Sequence, residues 1–252
     1  MGDVLLVICG GGANAAVGNS DDLMETTSVV LSKSEQTIPL DDEEWLRRIM
    51  NRYRIIIPFC ILGGDMTDKV RTVTRCARDN GCKVVPVLGL PWEWETDRRQ
   101  RATASLPDIV SLSDCSLVFD MDKITNLYLK DQTRRVDLSI RMADRLVMSS
   151  MNTIIECMEG PFFSTFTEKL YVFASNKSVL LKDAIDGAWD LMLFEKESID
   201  RNPIVVVGSR VTSAEIEEIK SGVAMICGAV PDVLKRKDGD NRVDVFKPVK
   251  SF

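Results

Sequence analysis

Short apolar runs alternate with amphipathic stretches through the first half of the chain. Four runs are apolar almost throughout, as in strands that are buried on both faces, and they lie at residues 4–9, 54–62, 83–90 and 115–121. Helical patterns lie between them, at residues 41–53, 66–81 and 97–106. Such alternation favours right-handed crossovers. We therefore predict a Rossmann-like α/β fold, in which a parallel sheet carries helices on both faces.

A long amphipathic stretch at residues 132–158 predicts a central helix. Its apolar positions recur at spacings of three and four residues, so one stripe of the helix is expected to be buried. After Gly160 and Pro161 the pattern restarts as a smaller α+β unit. The elements predicted in that unit are strand 169–174, helix 178–194, strand 203–209, helix 212–221, strand 223–228 and strand 242–247. The predicted domains are therefore residues 1–131 and 159–252, joined by the helix 132–158.

Charge and composition narrow the classes of function. The 252 residues carry a net charge of −6, which argues against general binding to nucleic acid or to anionic membranes. The sequence has no histidine, and this excludes Ser-His and Cys-His catalysis. No apolar stretch approaches the length of a membrane span, and the scattered cysteines are typical of reduced, buried thiols. We therefore expect a cytoplasmic protein without membrane insertion.

Glycines follow two of the predicted strands. Gly10, Gly11 and Gly12 follow the first strand, and Gly63 and Gly64 follow the second. Glycine lets backbone N–H groups approach an anion, and a helix N-terminus favours negative charge. The loops after parallel strands emerge on one edge of the sheet, so four loops are expected to converge there, at residues 9–14, 63–68, 90–99 and 119–122. The first loop alone is a weak signal, because glycine turns after the first strand are common in α/β folds.

The order of motifs from Ile61 to Leu146 resembles FtsZ, of the tubulin/FtsZ superfamily. The segments that carry the resemblance are "FCILGGDMTD", "VVPVLGLPWEWETDRR", "SLVFDMDKI" and "RMADRL". In FtsZ a glycine-threonine phosphate loop precedes a helix, a Pro-aromatic-x-aromatic-Glu loop with trailing arginines follows, and a long central helix carries Ala-Asp. The resemblance implies that residues 1–131 form a nucleotide-binding domain for GTP or GDP.

The resemblance also implies roles for individual residues. Seven residues match the two phosphate loops, namely Gly10, Gly11, Gly12, Asn14, Gly63, Gly64 and Thr67. Glu95 matches the acid that contacts the ribose, and Arg99 matches the arginine near the phosphates. Asp144 matches the acid of the central helix that reads guanine. Alternatively, Asp144 is an ordinary exposed acid.

The aromatic and basic residues of the third loop also have structural interpretations. Trp92 and Trp94 are expected to be buried anchors that hold the loop, rather than residues that stack on a ligand. The arginines either act near the phosphates or form a solvated helix face, and they are Arg98, Arg99 and Arg101.

The second glycine loop departs from the family. Asp65 stands where FtsZ has threonine and Asp68 where it has glycine, so two carboxylates would face a triphosphate. At an effective dielectric constant near 20, like charges at close range cost several kcal/mol, by order of magnitude. Mg²⁺ would offset part of this cost, because carboxylates are hard oxygen ligands. The stretch between the two glycine loops is about half as long as in the family.

The segment that corresponds to the family's catalytic loop departs further. FtsZ hydrolyses GTP after it polymerises, when a loop behind the central helix supplies Asn-x-Asp-x-x-Asp to the next subunit. Here residues 160–170 read "GPFFSTFTEKL", and only Glu168 can replace one of those acids. We therefore expect little hydrolysis. The three phenylalanines suit either a protein partner or packing between the two domains.

Three functions remain open at this stage. The favoured one is a divergent, shortened FtsZ-like protein that binds a guanine nucleotide weakly. It would contact itself or an FtsZ-like homologue head to tail, or contact another protein. The first alternative is an active GTP-hydrolysing, filament-forming cell-division protein, and the second is an interaction subunit that binds no nucleotide.

Overall fold

The computed structural model describes residues 4–18, 28–31, 43–129, 136–191 and 201–250. The strands in these ranges form one sheet, and they are β1 Val4–Cys9, β2 Ser28–Leu31, β3 Ile55–Ile61, β4 Lys83–Val84, β5 Val87–Leu90, β6 Ser116–Asp120, β7 Leu170–Lys177, β8 Ile204–Val207, β9 Asp232–Lys235 and β10 Arg242–Pro248. Their spatial order is β2-β1-β3-β5-β6-β7-β10-β8-β9, with β4 beside β3. Only β10 runs antiparallel to its neighbours, β7 and β8.

Helices cover both faces of this sheet. In the described residues they are α1 Gly11–Gly18, α2 Glu43–Met50, α3 Thr67–Asp79, α4 Thr96–Leu112, α5 Met121–Leu129, α6 Val136–Glu159, α7 Leu181–Asp190 and α8 Ser213–Cys227, with a 3₁₀ turn at Pro161–Thr165. The predicted Rossmann-like α/β class is confirmed. None of these helices is long and apolar enough to cross a membrane.

The alternation of side chains along each strand divides the core into two layers. Leu6 and Ile8 of β1 point to the layer that contains α1 and α6, whereas Leu5 and Val7 point to the layer that contains α2, α3 and α4. The second half of the sheet packs α7 and α8 on the latter side, against β7, β8 and β10. Because both faces are covered, the strands are apolar at successive positions, which is the pattern that predicts them.

Helix α6 is the predicted central helix. Its buried stripe includes Ala143, Val147, Met151 and Ile154, each at most 2% exposed. The same core layer contains residues of β1 and β10, so α6 packs on both halves of the sheet. The start of the predicted helix, residues 132–135, lies outside the described residues. The division into domains at 1–131, 132–158 and 159–252 stays a prediction.

Several elements differ from the sequence prediction. The predicted strand 223–228 is wrong, because α8 continues to Cys227 and ends at Gly228, whose φ of 77° suits a helix C-cap. Helix α4 continues through Pro107 to Leu112 instead of ending at 106. The elements β2, β9 and α5 are not predicted at all. The expected end of helix 178–194 lies outside the described residues.

A buried charge network holds α6 to the second half of the sheet. Asp244 of β10 accepts hydrogen bonds at Oδ2 from Arg236 Nη1 at 2.8 Å, Arg242 Nε at 3.2 Å and Thr153 Oγ1 of α6 at 2.9 Å. Arg242 Nη2 also donates to Thr153 Oγ1 at 2.7 Å. Burial disfavours the charge of Asp244, but Arg242 and Arg236 outweigh this effect and hold the pKa of the carboxyl below its ordinary value.

This network generates a stability prediction. In Asp244→Asn the two guanidiniums stay buried without their carboxylate, so we expect the free energy of unfolding at pH 7 to fall by about 3–5 kcal/mol. The wild-type contribution is present above the pKa of the unfolded state, about 4, and is lost as the pH falls toward the lower folded-state pKa. Urea titrations between pH 7 and pH 3 measure both effects. The exposed acid Asp190 provides the control, since Asp190→Asn should change little. Equal losses in the two variants would contradict the prediction.

Candidate functional site

Four parallel strands end at the same edge of the sheet. The register places Cys9 of β1 opposite Cys60 of β3, and Leu90 of β5 opposite Asp120 of β6. Ile61 lies opposite Gly89, and the N–H of the next residue donates to the Gly89 carbonyl at 2.9 Å. The loops after β1, β3, β5 and β6 are therefore neighbours at this carboxyl edge, as the alternation of strands and helices predicts.

The first glycine loop leads directly into α1. Gly10 has a φ of +92°, and a Cβ there would lie only 3.0 Å from Met66 Cγ of the second loop. Gly11, Gly12 and Asn14 are exposed, and the Asn14 N–H donates to the Gly10 carbonyl at 3.0 Å. No neighbouring heavy atom in the described residues lies within 4 Å of a Cβ built on Gly11. The start of α1 is thus open on the side of Gly11.

The second glycine loop is closed on one side and open on the other. Gly63 has a φ of +81°, and a Cβ there would overlap the carbonyl oxygen of Arg98, at the start of α4. Only glycine suits this position, because α4 lies directly on the loop. The Gly63 N–H donates to Thr67 Oγ1 at 2.8 Å, so the threonine hydroxyl binds the backbone of its own loop. A Cβ on Gly64 would meet none of the described atoms within 4 Å.

The two aspartates of the second loop are exposed. Asp68 Oδ1 lies 3.6 Å from Arg71 Nη1, and its side chain is 85% exposed. Within the described ranges, no group of three or more His, Cys, Asp or Glu residues is placed to hold a metal ion. The binding of Mg²⁺ by Asp65 and Asp68 therefore stays a prediction. An ion held there would need oxygen atoms of a bound ligand to complete its coordination.

The third loop is held by an ion pair that the sequence analysis does not identify. Arg99 donates to both carboxylate oxygens of Asp120, from Nη1 at 3.1 Å and from Nη2 at 2.6 Å, and Nη1 also donates to the Pro91 carbonyl at 2.6 Å. The Asp120 side chain is only 1% exposed. The hydrogen bond to Asp120 outweighs partial burial and raises the pKa of the Arg99 guanidinium. Arg99 therefore secures the loop, and its expected contact with phosphates stays a prediction.

The start of α5 supplies further contacts to the same loop. Asp122 Oδ1 accepts from the Glu93 N–H at 3.2 Å, and Thr125 Oγ1 accepts from Trp92 Nε1 at 3.0 Å. Asp120 Oδ1 also accepts from the Asp122 N–H at 2.9 Å, which satisfies one free donor of the first turn of α5. The loop after β5 is thus built on the residues that follow β6.

The two tryptophans of the third loop differ in exposure. Trp92 packs against the core layer of α6, as expected for an anchor. Trp94 is 62% exposed, so its expected burial is wrong. The two rings stack with centroids 5.1 Å apart and an angle of 16° between their planes. One face of the Trp94 ring therefore stacks on Trp92, and its other face is open to solvent.

Glu95 carries the least satisfied polar group of this loop. Its Oε1 forms an ion pair with Arg98, whose Nη2 lies 3.4 Å from the Leu62 carbonyl of the second loop. The other oxygen, Oε2, is buried and has no hydrogen-bond partner among the described residues. Burial of a carboxylate oxygen without a hydrogen bond costs free energy, so a donor bound at this position would be stabilising. Arg98 and Arg99 are engaged in ion pairs rather than forming a solvated face, whereas Arg101 is exposed.

Asp144 lies in the described part of α6 and is only 5% exposed. Helix α6 packs against α1 and against β1, which together carry the first glycine loop. The alternative in which Asp144 is an ordinary exposed acid is therefore wrong. Asp144 is a buried carboxylate on a helix that packs against α1, and its expected role in reading guanine stays a prediction.

Glu168 lies at the opposite edge of the sheet. The residue two positions on, Leu170, pairs with Ser116 at the start of β6, whereas the glycine loops follow the ends of strands. Glu168 Oε1 lies 3.3 Å from Arg201 Nε, and its N–H donates to the Tyr171 hydroxyl at 3.1 Å. Glu168 therefore belongs to a different edge from the phosphate loops of its own chain.

The phenylalanines before Glu168 pack inside the protein. Phe162 and Phe163 lie partly buried against the α6 core layer. Phe166 is 7% exposed, and its ring meets those of Tyr171 and Phe246 edge-on at 5.3 Å. Phe166 is therefore a packing residue, whereas Phe162 and Phe163 are partly exposed, and the choice between a partner surface and packing between the two domains stays open for them.

Comparison with known proteins identifies the fold. The sequence matches no protein-family model, and it matches none of the curated proteins. The structure is similar to a point mutant of FtsZ from M. jannaschii, with a TM-score of 0.74 and 16% identity over 97% of this chain and 90% of that one. A dimer of M. jannaschii FtsZ, described as empty, gives 0.74 and 16% over 98% and 87% of the two chains. CetZ from Methanosaeta thermophila gives 0.71 and 14% over 100% and 88%.

The chain therefore has the fold of FtsZ and CetZ, as the sequence motifs imply. At 14–16% identity the likeness concerns the path of the chain and not the chemistry of the site.

The ion pair between Arg99 and Asp120 generates a prediction about the loop. Arg99→Ala leaves a buried carboxylate without its partner, so we expect the free energy of unfolding to fall by about 3 kcal/mol. The exposed neighbour on the same helix serves as a control, and Arg101→Ala should change it by less than about 0.5 kcal/mol. Urea denaturation followed by circular dichroism measures both. Adding Asp120→Ala to the Arg99→Ala protein should cost less than Asp120→Ala alone. Additive effects would show that the pair does not couple the two loops.

Proposed function

We propose that this chain is a divergent, shortened FtsZ-like protein that binds a guanine nucleotide weakly at the carboxyl edge of its sheet. The observation that carries the proposal is the buried Oε2 of Glu95, which has no partner in the described residues and sits in the loop next to Gly63. A ribose hydroxyl is a donor of the right kind for this acceptor. The same residue matches the ribose-binding acid of FtsZ.

The remaining residues of the edge suit the other parts of a nucleotide. Backbone N–H groups beside Gly11 and Gly64 would donate to phosphate oxygens, because no described heavy atom lies within 4 Å of a Cβ built on either glycine. Asp144 would accept the two donors on the Watson–Crick edge of guanine. Its burial behind α1 supports this role, since a base bound there would be shielded from water.

Two features argue for weak binding and for a preference for fewer phosphate charges. The exposed carboxylates of Asp65 and Asp68 would repel the terminal phosphate of GTP. Arg99 has two of its nitrogens committed to Asp120, so it offers less positive charge to a phosphate than a free arginine would. We infer that the site prefers GDP to GTP unless Mg²⁺ is present.

Little hydrolysis is expected at such a site. The acid that remains in the segment after α6, Glu168, is paired with Arg201 and lies at the far edge of the sheet. A neighbouring copy would have to bring it to the nucleotide, as the next subunit does in FtsZ filaments. We propose head-to-tail contact with a second copy or with an FtsZ-like homologue, a contact that the FtsZ dimer among the similar structures supports.

The nucleotide proposal is tested by calorimetry with GDP and GTP, with and without Mg²⁺. We expect Asp144→Ala to weaken GDP binding by roughly 1–3 kcal/mol, because charged hydrogen bonds to the base are lost. Asp65→Thr should strengthen GTP binding, because it removes a like charge. Glu159→Ala, an exposed acid near the end of the same helix as Asp144, is the control and should leave both affinities unchanged.

The same experiment separates the alternatives. No heat with either nucleotide, with or without Mg²⁺, would leave the chain as an interaction subunit that binds no nucleotide. Equal losses in Asp144→Ala and Glu159→Ala would show that Asp144 does not contact the base.

The hydrolysis proposal is tested by phosphate release over a range of protein concentrations. We expect the wild type to hydrolyse GTP far more slowly than FtsZ does, because the other acids that polarise water are absent from residues 160–170. A fast rate that rises with protein concentration and is abolished by Glu168→Ala would favour the active filament-forming protein instead.

A further inference from the structure

A groove runs between α7 and α8 on the outer face of the second half of the sheet. It encloses about 550 Å³. Its apolar lining comes mainly from Leu181 and Ile185 of α7 and from Ile219 and Met225 of α8. Gly222 lies in the same lining, and a Cβ there would meet none of the described atoms within 4 Å. The groove is remote from the carboxyl edge, because it lies on the face of the sheet rather than beside the glycine loops.

Large apolar side chains are exposed around this groove. Leu180 is 62% exposed, Met225 88% and Ile226 44%, and all three contribute to the lining. Val179, beside Leu180, is 89% exposed. Single exposed apolar residues are ordinary, but several on adjoining helices around one groove are typical of a binding surface. In the described residues, Trp94 and Leu138 are the large exposed apolar side chains outside the second half of the sheet.

The rim of the groove is acidic. Three carboxylates, Asp186, Glu215 and Glu218, line it together with one ammonium group, that of Lys182. Glu215 is held by the capping box at the start of α8, where it accepts from the Thr212 N–H at 2.7 Å. Asp186 and Glu218 make no ion pair with any residue that the structure describes. The rim therefore offers two negative charges that form no ion pair within the described residues, beside an apolar floor.

These features define what fits the groove. We propose that it binds an amphipathic helix of a partner protein, with apolar residues along one face and lysine or arginine beside them. The apolar face would cover Ile219 and Met225, and the basic residues would meet Asp186 and Glu218. The lining extends along α8 from Glu215 to Ile226, which at 1.5 Å per residue is roughly 16 Å, or about three helical turns.

The charge of the rim decides between a basic partner and a second copy of this chain. In a symmetric dimer the same surface patch meets itself. The acidic rims of two grooves would then face each other, and like charges across an interface oppose association. A partner of opposite charge removes this repulsion and supplies the missing ion pairs.

The proposal is tested with a designed peptide helix and two substitutions at one position. The probe is a fluorescent three-turn helix with leucines along one face and lysines beside them, and a version with glutamates in place of the lysines is its control. Gly222→Trp fills the groove, whereas Gly222→Ala adds only a methyl group to open space. Fluorescence anisotropy should give micromolar binding of the lysine peptide to the wild type and to Gly222→Ala. We expect about tenfold or greater weakening with Gly222→Trp and with the glutamate peptide.

Charge reversal provides a second test that does not depend on filling the groove. The double variant Asp186→Lys and Glu218→Lys should bind the glutamate peptide more tightly than the lysine peptide. Equal binding of both peptides to the wild type, or unchanged binding to Gly222→Trp with its circular dichroism spectrum preserved, would overturn the proposal. So would a dimer in sedimentation equilibrium that Met225→Asp separates, because a second copy would then occupy the groove.

Discussion

Three residue pairs between β6 and β7 join the first half of the sheet to its second half. Ser116, Leu117 and Val118 of β6 pair in parallel with residues 170–172 of β7. This pairing turns two sets of strands into one sheet, and it gives α6 a continuous surface to cover. It also determines the two edges of the molecule, because β6 starts beside Leu170 and ends at Asp120. The glycine loops and the third loop follow the ends of β1, β3 and β5, so they lie at the edge where β6 ends and away from the edge where β7 begins.

The carboxyl edge shows how a ligand site and a structural support draw on the same residues. Arg99 and Asp120 lie where a nucleotide site of FtsZ type would be, yet they bind each other and secure the loop. Thr67 Oγ1 likewise accepts a hydrogen bond from the Gly63 N–H of its own loop. Glu95 has one buried carboxylate oxygen that accepts no hydrogen bond from the part of the chain that the structure describes. Most polar groups of this edge already have partners, so few remain to bind a ligand. We infer a low affinity for this reason.

Strong, continuous patterns in the sequence predict much of the fold. Three of the four apolar runs become β1, β3 and β6, and the run at 83–90 is divided between β4 and β5. Their alternation with helices places the glycine loops on one edge. Other features escape prediction for physical reasons. Helix α5 begins at Met121, directly after β6, so no loop separates the two elements. The run from Val223 to Cys227 is apolar at nearly every position, and periodicity alone does not separate a short strand from a helix in such a run. The bond between Arg99 and Asp120 joins residues 21 positions apart, and only the register of β5 and β6 brings them together.

The close contact between Gly63 and Arg98 has a consequence for the way the edge responds to a ligand. The backbone of α4 lies directly against Gly63, and Arg99 of α4 binds Asp120 at the end of β6, so the second loop, α4 and β6 are in direct contact. These contacts form without a ligand, so little binding free energy would be spent on ordering the second and third loops. These contacts also mean that a substitution in one segment affects the others. A side chain at position 63 would displace α4, and with it the third loop that carries the two tryptophans.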